Sequence, residues 1–329
     1  LDGVLHARRT DPRIGDWLAA AEAPDAVGVR QLEDIRIQYE RTQRVPADLS
    51  AAMARETALA HRVWAEARGA NDFAMFAPKL ETVLGLARDK GAALADGGDI
   101  YDALLQDYEP GATGAELDAM FAALRPRLVD IRERVAGSER AVPETTGEFA
   151  KAAQLRISET LAKAFNYDFH FGRIDLAVHP FSSGSGQDVR ITTRVNEAYP
   201  FDCFYSTIHE VGHACYELAI DPDLRGTPMG REASMGVHES QSRSYENQLG
   251  RSRAFTEYLF GLMRDEFADF GIADADTFYA VVNRCAPGYI RTEADEVHYN
   301  LHVALRFDLE RDLIAGRLAI ADQPEARDT

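Results

Sequence analysis

Between about 10 and 165 apolar residues recur every three or four positions, as in Val29, Leu32, Ile35 and Tyr39, and predict an almost unbroken series of helices. Pro46 with Asp48 and Ser50 marks an end and a fresh start, Asn71-Asp72 caps the next segment, and Asp96-Gly97-Gly98-Asp99 turns between two helices. Glu109 to Thr113 leads into a further helix, which Pro126 is expected to kink or end. A capped start at Thr145 or Thr146 is expected to open a helix to about Phe165. After Asn166 the period changes. Ile174 to Val178 and Val189 to Val195 read as short strands of a hairpin, joined by the small-residue loop Pro180 to Gln187. In the second strand Asp188, Arg190, Thr192 and Arg194 alternate with Val189, Ile191, Thr193 and Val195, so one face is polar. Helical spacing returns from Phe204 to Leu218, from near Ser234 towards Phe270, and from about Arg291 to Ala315. With no repeat or long linker, 1–329 reads as part of one mainly α domain: a helical half, 1–165, and a second half, 166–329, with a small β element.

Composition narrows the function. A formal net charge of −18 opposes binding to nucleic acid or to anionic membranes, both of which favour a basic patch. No apolar run has the length of a membrane span. The three cysteines, Cys203, Cys215 and Cys285, are odd in number and lack close-pair spacing, which points to a reducing cytoplasm rather than a disulfide framework. Seven of the nine histidines lie from His170 to His302, so the chemistry is concentrated in the second half.

The run His209-Glu210-Val211-Gly212-His213 falls within a predicted helix. Residues four apart stand one turn above each other, so His209 and His213 present two imidazoles to one tetrahedral zinc ion, a metal that favours such nitrogen donors. Glu210 is then placed to take a proton from an activated water. This is the arrangement of a zinc peptidase, in which cobalt or manganese also suits the donors. Ser206, Glu210 and Glu217 share the polar stripe with the histidines, while Phe204, Ile208, Val211, Cys215 and Leu218 form an apolar one. Gly212 weakens the helix interior and so marks a close approach of another backbone or of substrate. A third ligand is expected from elsewhere, and Glu239 in Val237-His238-Glu239-Ser240-Gln241 is the best candidate, carried on a second helix after a loop long enough to reverse the chain. Arg190, just upstream of the metal helix, is expected on a cleft wall against a substrate carbonyl or carboxylate. His298 and His302 repeat the four-residue spacing without an intervening Glu, and are expected to orient neighbours or line a cleft rather than bind a second metal.

Five short motifs stand in order: His179-Pro180-Phe181, Asp188-x-Arg190-x-Thr192, His209-Glu210-x-x-His213, His238-Glu239-Ser240-Gln241 and Ile290-Arg291-x-x-Ala294-Asp295. With them the chain resembles the carboxypeptidase Taq family of metallocarboxypeptidases over nearly all its length. The resemblance implies a mainly helical, cleft-shaped fold of the neurolysin type with a small β-sheet beside the metal. It implies zinc ligands His209, His213 and Glu239, a general base Glu210, and Arg190 and Arg291 holding the C-terminal carboxylate of a peptide. His179 and His238 would contact the peptide near the scissile bond. Asp295, one turn after Arg291 by spacing, is expected to hold its guanidinium in place. Single C-terminal amino acids would be released, with an oligopeptidase, a dipeptidyl carboxypeptidase or a non-catalytic zinc scaffold as the alternatives. Homodimers are expected, as in the family. The family's sixth motif, Gly-x-x-Gln-Asp-x-His-Trp, does not occur here, so the sequence is expected to be an internal piece of a longer protein.

Overall fold

The computed structural model describes residues 2–138, 141–185 and 187–326. Gly186 of the predicted loop and 327–329 of the polar C-terminal stretch lie outside the described residues. The chain is mainly helical, with one three-stranded sheet among the described residues. It divides into two compact units, one from the described residues of Leu1–Leu128 and Asn300–Thr329, the other Val129–Tyr299.

The first unit contains α1 (Asp2–Arg9), α2 (Pro12–Ala20), α3 (Ala26–Arg44), α4 (Ala47–Ala70), α5 (Phe73–Ala95), α6 (Ile100–Leu105) and most of α7 (Gly114–Ala136). Short polar side chains start several of them: Asp11, Asp25, Asp72 and Asp99 each accept a backbone N–H of the following turn. Asn71 and Asp96 close α4 and α5 in the left-handed conformation that these residues tolerate. Pro126 does not end α7, which runs on to Ala136; a proline forfeits one backbone bond, and the remaining turns carry the helix through. Phe121 packs on Phe307 with ring centroids 5.0 Å apart, and Ala304 completes that buried cluster.

The second unit holds the chemistry. Its α8 spans Lys151–Ala164, later than the expected start at Thr145 or Thr146. The backbone before it is spent elsewhere, since Thr146 N–H bonds the Phe270 carbonyl and Phe149 N–H the Glu197 carbonyl. The strands also differ from the expected hairpin. β1 (Ile174–Leu176) pairs with β3 (Asp188–Thr193) in parallel, and β2 (Ser182–Ser185), inside the predicted loop, pairs with β3 antiparallel. β3 is central, with Val189 and Ile191 fully buried, and both of its edges need partners; a stretch of serine and glycine satisfies the second. Gly184 is required there, because a Cβ would lie 2.2 Å from the Asp188 carbonyl oxygen.

Beside β3 runs α9 (Phe201–Leu218), the pillar of the unit. Phe204, Ile208, Val211 and Ala214 are fully buried, each larger side chain contributing roughly 1.5–3 kcal/mol. The predicted long helix from Ser234 to Phe270 is three pieces: α10 (Met235–Arg243), a wider π-helical stretch Ser244–Leu249, and α11 (Arg253–Phe267). Ser234 caps the first, near where helical spacing was expected to resume, Tyr205 Oη donates to the Gly250 carbonyl at the break, and Ser252 caps the last. Next come α12 (Ala275–Val282) and α13 (Glu296–Ile314), which starts five residues later than the expected Arg291 because Asp295 accepts the amides of Val297 and His298. From Asn300 on, α13 belongs to the first unit, as does a four-residue α14 (Gln323–Ala326). Among the described residues no helix is long and apolar enough to cross a membrane.

Candidate metal centre and cleft

Close packing of α10 on α9 builds the site. A Cβ on Gly212 would lie 2.6 Å from Ser242 Cα, so the glycine lets the two backbones touch. That approach brings Glu239 over the two imidazoles. Its Oε1 is 3.7 Å from His209 Nε2, and its Oε2 is 3.3 Å from His213 Nε2. One donor atom from each of the three residues lies within 4.8 Å of the others. A tetrahedral ion with bonds of about 2.0–2.1 Å has ligand atoms roughly 3.3 Å apart, so the three residues fit a zinc-class ion with little movement.

The donors are held from behind. His209 Nδ1 is 2.9 Å from Glu246 Oε2, leaving Nε2 to face Glu239. Burial opposes the charge on Glu246, but His209, Arg243 and Arg251 outweigh it and keep its pKa below the ordinary carboxylate value. The same carboxylate overcomes burial at His209 and raises the imidazole pKa. Glu246 was missed in the sequence; its position seven residues after Glu239, on the same helical stripe, was the available signal. Against His213 stacks the ring of His238, with centroids 4.4 Å apart. His238 Nε2 lies 3.2 Å from the Glu217 carboxylate, which raises its pKa.

Glu210 is 6% exposed and lines a cavity of about 370 Å³. Burial pushes its pKa up to about 7, with Glu239 and Glu246 adding to the rise and His209 opposing it. A carboxyl group poised near neutrality is suited to receive and return a proton. Burial also resists the charge on Glu239, but His213, His209 and Arg243 prevail and hold its pKa below the usual carboxylate range.

The same cavity is lined by His179, Arg194 and Arg291. Arg291 Nη1 donates to Tyr299 Oη at 2.6 Å, and the Arg243 guanidinium stacks over the same ring, its carbon 4.0 Å from the Tyr299 centroid. Asp295 does not steady Arg291; its oxygens are taken by the α13 cap, by Ala286 N–H and by His298. Arg190 is likewise not at the cavity. Its guanidinium bonds both oxygens of Asp188 two residues back, since i and i+2 share a strand face, and Arg194 further along lines the cavity instead. His238 packs behind His213 and is not among the lining residues.

A mainly helical unit with two histidines and a glutamate converging beside a buried carboxylate has the make-up of a metallopeptidase. The profile of the carboxypeptidase Taq (M32) metallopeptidase family matches residues 1–329, and the chain belongs to that family. Among proteins it resembles, the thermostable carboxypeptidase 1 of Thermus thermophilus is 40% identical, over 98% of this chain and 67% of the relative. Carboxypeptidase 1 of Bacillus subtilis is 35% identical, over 90% of this chain and 60% of the relative. The structure of Trypanosoma cruzi metallocarboxypeptidase 1 superposes with a TM-score of 0.92 at 34% identity, covering 98% of this chain and 66% of that one. The M32 carboxypeptidase of Deinococcus radiodurans gives 0.90 at 40% identity, with 98% and 66% covered. The chain thus spans about two thirds of the length of these relatives or somewhat less.

Proposed function

We propose that this chain carries the catalytic centre of a zinc-dependent carboxypeptidase that releases single amino acids from the C-terminus of peptides. The observation that carries the reading is Glu210 and Arg291 lining one cavity with His209 and Glu239. His209, His213 and Glu239 would hold the ion. When bound, zinc supplies Lewis acidity, making a water acidic enough to ionise near neutral pH and polarising the scissile carbonyl.

The chain's own residues do the rest. Glu210 takes the proton of the attacking water and returns it to the leaving amine. Arg291 binds the free carboxylate through its planar fork, and the Tyr299 hydroxyl at 2.6 Å keeps that fork in register. His179, also on the cavity wall, contacts the peptide near the bond that breaks. Glu246 fixes the His209 ring, so that the metal-facing nitrogen stays aimed. By resemblance to the family the assembly is a homodimer, and three free cysteines suit a reducing cytoplasm.

Product analysis on a short free-acid peptide tests the reading. Single C-terminal residues are expected, and Glu210→Gln should keep its metal while losing about 10²–10⁴-fold in turnover. Dipeptide products would replace the carboxypeptidase assignment with a dipeptidyl one. Undiminished turnover in the variant would remove Glu210 from the base role.

A further inference from the structure

A second group of donors lies at the base of the loop that carries Arg291. Cys285 Sγ is 3.4 Å from Asp295 Oδ1 and 3.7 Å from His298 Nδ1, and His298 Nδ1 is 2.7 Å from Asp295 Oδ2. The sequence pairs His298 with His302 by spacing; the fold pairs it with a thiol and a carboxylate instead. Asp295 and His298 side chains are only 13% and 12% exposed, so the group is a built cluster rather than a chance meeting of surface side chains. None of the three lines the cavity, yet the segment between Cys285 and Asp295 delivers Arg291, Thr292 and Glu293 to it.

We infer that Cys285, Asp295 and His298 form a second cation site, taking one thiophilic divalent ion of the zinc class and pinning together the two ends of the Arg291 loop. Tetrahedral zinc bonded to sulfur, nitrogen and oxygen spaces its donors about 3.3–3.6 Å apart. The thiol's separations from Asp295 Oδ1 and His298 Nδ1 already lie close to that range, while the 2.7 Å contact of His298 is to the other carboxylate oxygen, Oδ2, so a small turn of the ring or the carboxylate brings one donor atom of each residue to a single ion. The carboxylate is positioned by backbone amides. Asp295 Oδ1 accepts the amides of Val297 and His298, and Oδ2 accepts that of Ala286. Thiolate, imidazole and carboxylate together favour zinc, cobalt or cadmium over magnesium or calcium. Proton balance is simple. Starting from the neutral ring, the Cys285 thiol proton leaves to solvent and the ring proton of His298 moves from Nδ1 to Nε2, so one proton is released per ion bound.

Cobalt(II) titration of the metal-free full chain tests the site without recourse to activity. Two equivalents are expected to bind, with one of them giving a thiolate-to-cobalt charge-transfer band. Cys285→Ser should abolish the band and one equivalent while keeping the other, and His298→Gln should do the same. His213→Ala should remove the other equivalent and leave the band, so failure of the catalytic-site assignment reads out separately. A thiolate band that survives in Cys285→Ser, or wild-type binding without any such band, overturns the second site.

Discussion

Gly212→Ala is a one-carbon change that tests how the metal centre is assembled. The new Cβ would lie 2.6 Å from Ser242 Cα and 3.1 Å from the Gln241 carbonyl oxygen. Carbon atoms settle about 3.5–4.0 Å apart, so α10 must withdraw from α9 by roughly 1 Å. Glu239 sits three residues before Ser242 on that helix and moves with it. Its contacts of 3.7 and 3.3 Å to the imidazoles would then widen beyond the spacing one ion spans. Stability changes less than the site does: alanine gains roughly 1 kcal/mol of helix propensity, against about 1–3 kcal/mol for overpacking. The fold should persist while zinc affinity falls by about 10–100-fold, the range seen when ligand orientation is disturbed. Chelator competition measures the affinity, and thermal unfolding of the metal-free protein measures the packing cost. Wild-type zinc affinity in a folded Gly212→Ala protein would refute the argument that backbone contact at this glycine places the third ligand.

Three further outcomes follow from the geometry. Glu246→Gln should weaken metal binding by about 10-fold or more through the loss of its charge behind His209, measured by the same chelator competition; unchanged affinity would leave Glu246 with a structural role alone. Arg291→Ala should raise KM for free-acid peptides far more than for C-terminally amidated ones, and equal losses on both would argue against carboxylate recognition. Asp107 is held below the ordinary carboxylate pKa, because bonds from Lys90 and Arg41 outweigh the burial that opposes its charge. Its contribution to stability is therefore full above the unfolded value of about 3.9 and is lost as pH falls through the lowered one. Asp107→Asn should lower stability at neutral pH and flatten its acid dependence, and an unaltered acid unfolding curve would count against the pairing.

The carriers of local chemistry were legible residue by residue. His209, Glu210 and His213 are bound to one another by helical spacing, which needs no knowledge of the rest of the chain. Gly212 announced a close contact, and the cap at Asp72 fell where a short polar side chain satisfies a free amide. Other expectations failed where partners outside the predicted element, or neighbours on the same strand face, claim the same groups. Ser182–Ser185 has little strand propensity, but the open edge of β3 recruits it. Thr146 has the chemistry of a cap, but its amide is claimed by the Phe270 carbonyl. Arg190 has the type of residue a carboxylate site needs, yet Asp188 on the same strand face holds it.

What the sequence determined by itself, then, was the pair of imidazoles, the neighbouring carboxyl group and the mainly helical character, because each depends on spacings of four residues or fewer. Tertiary structure alone decided what is assembled across longer separations. It set Glu239 against the histidines through a contact at Gly212, placed Glu246 behind His209, and put Tyr299 rather than Asp295 against Arg291. It also gathered Cys285, Asp295 and His298. Those arrangements depend on how helix faces pack and on which buried polar groups find partners, and local periodicity carries no record of either.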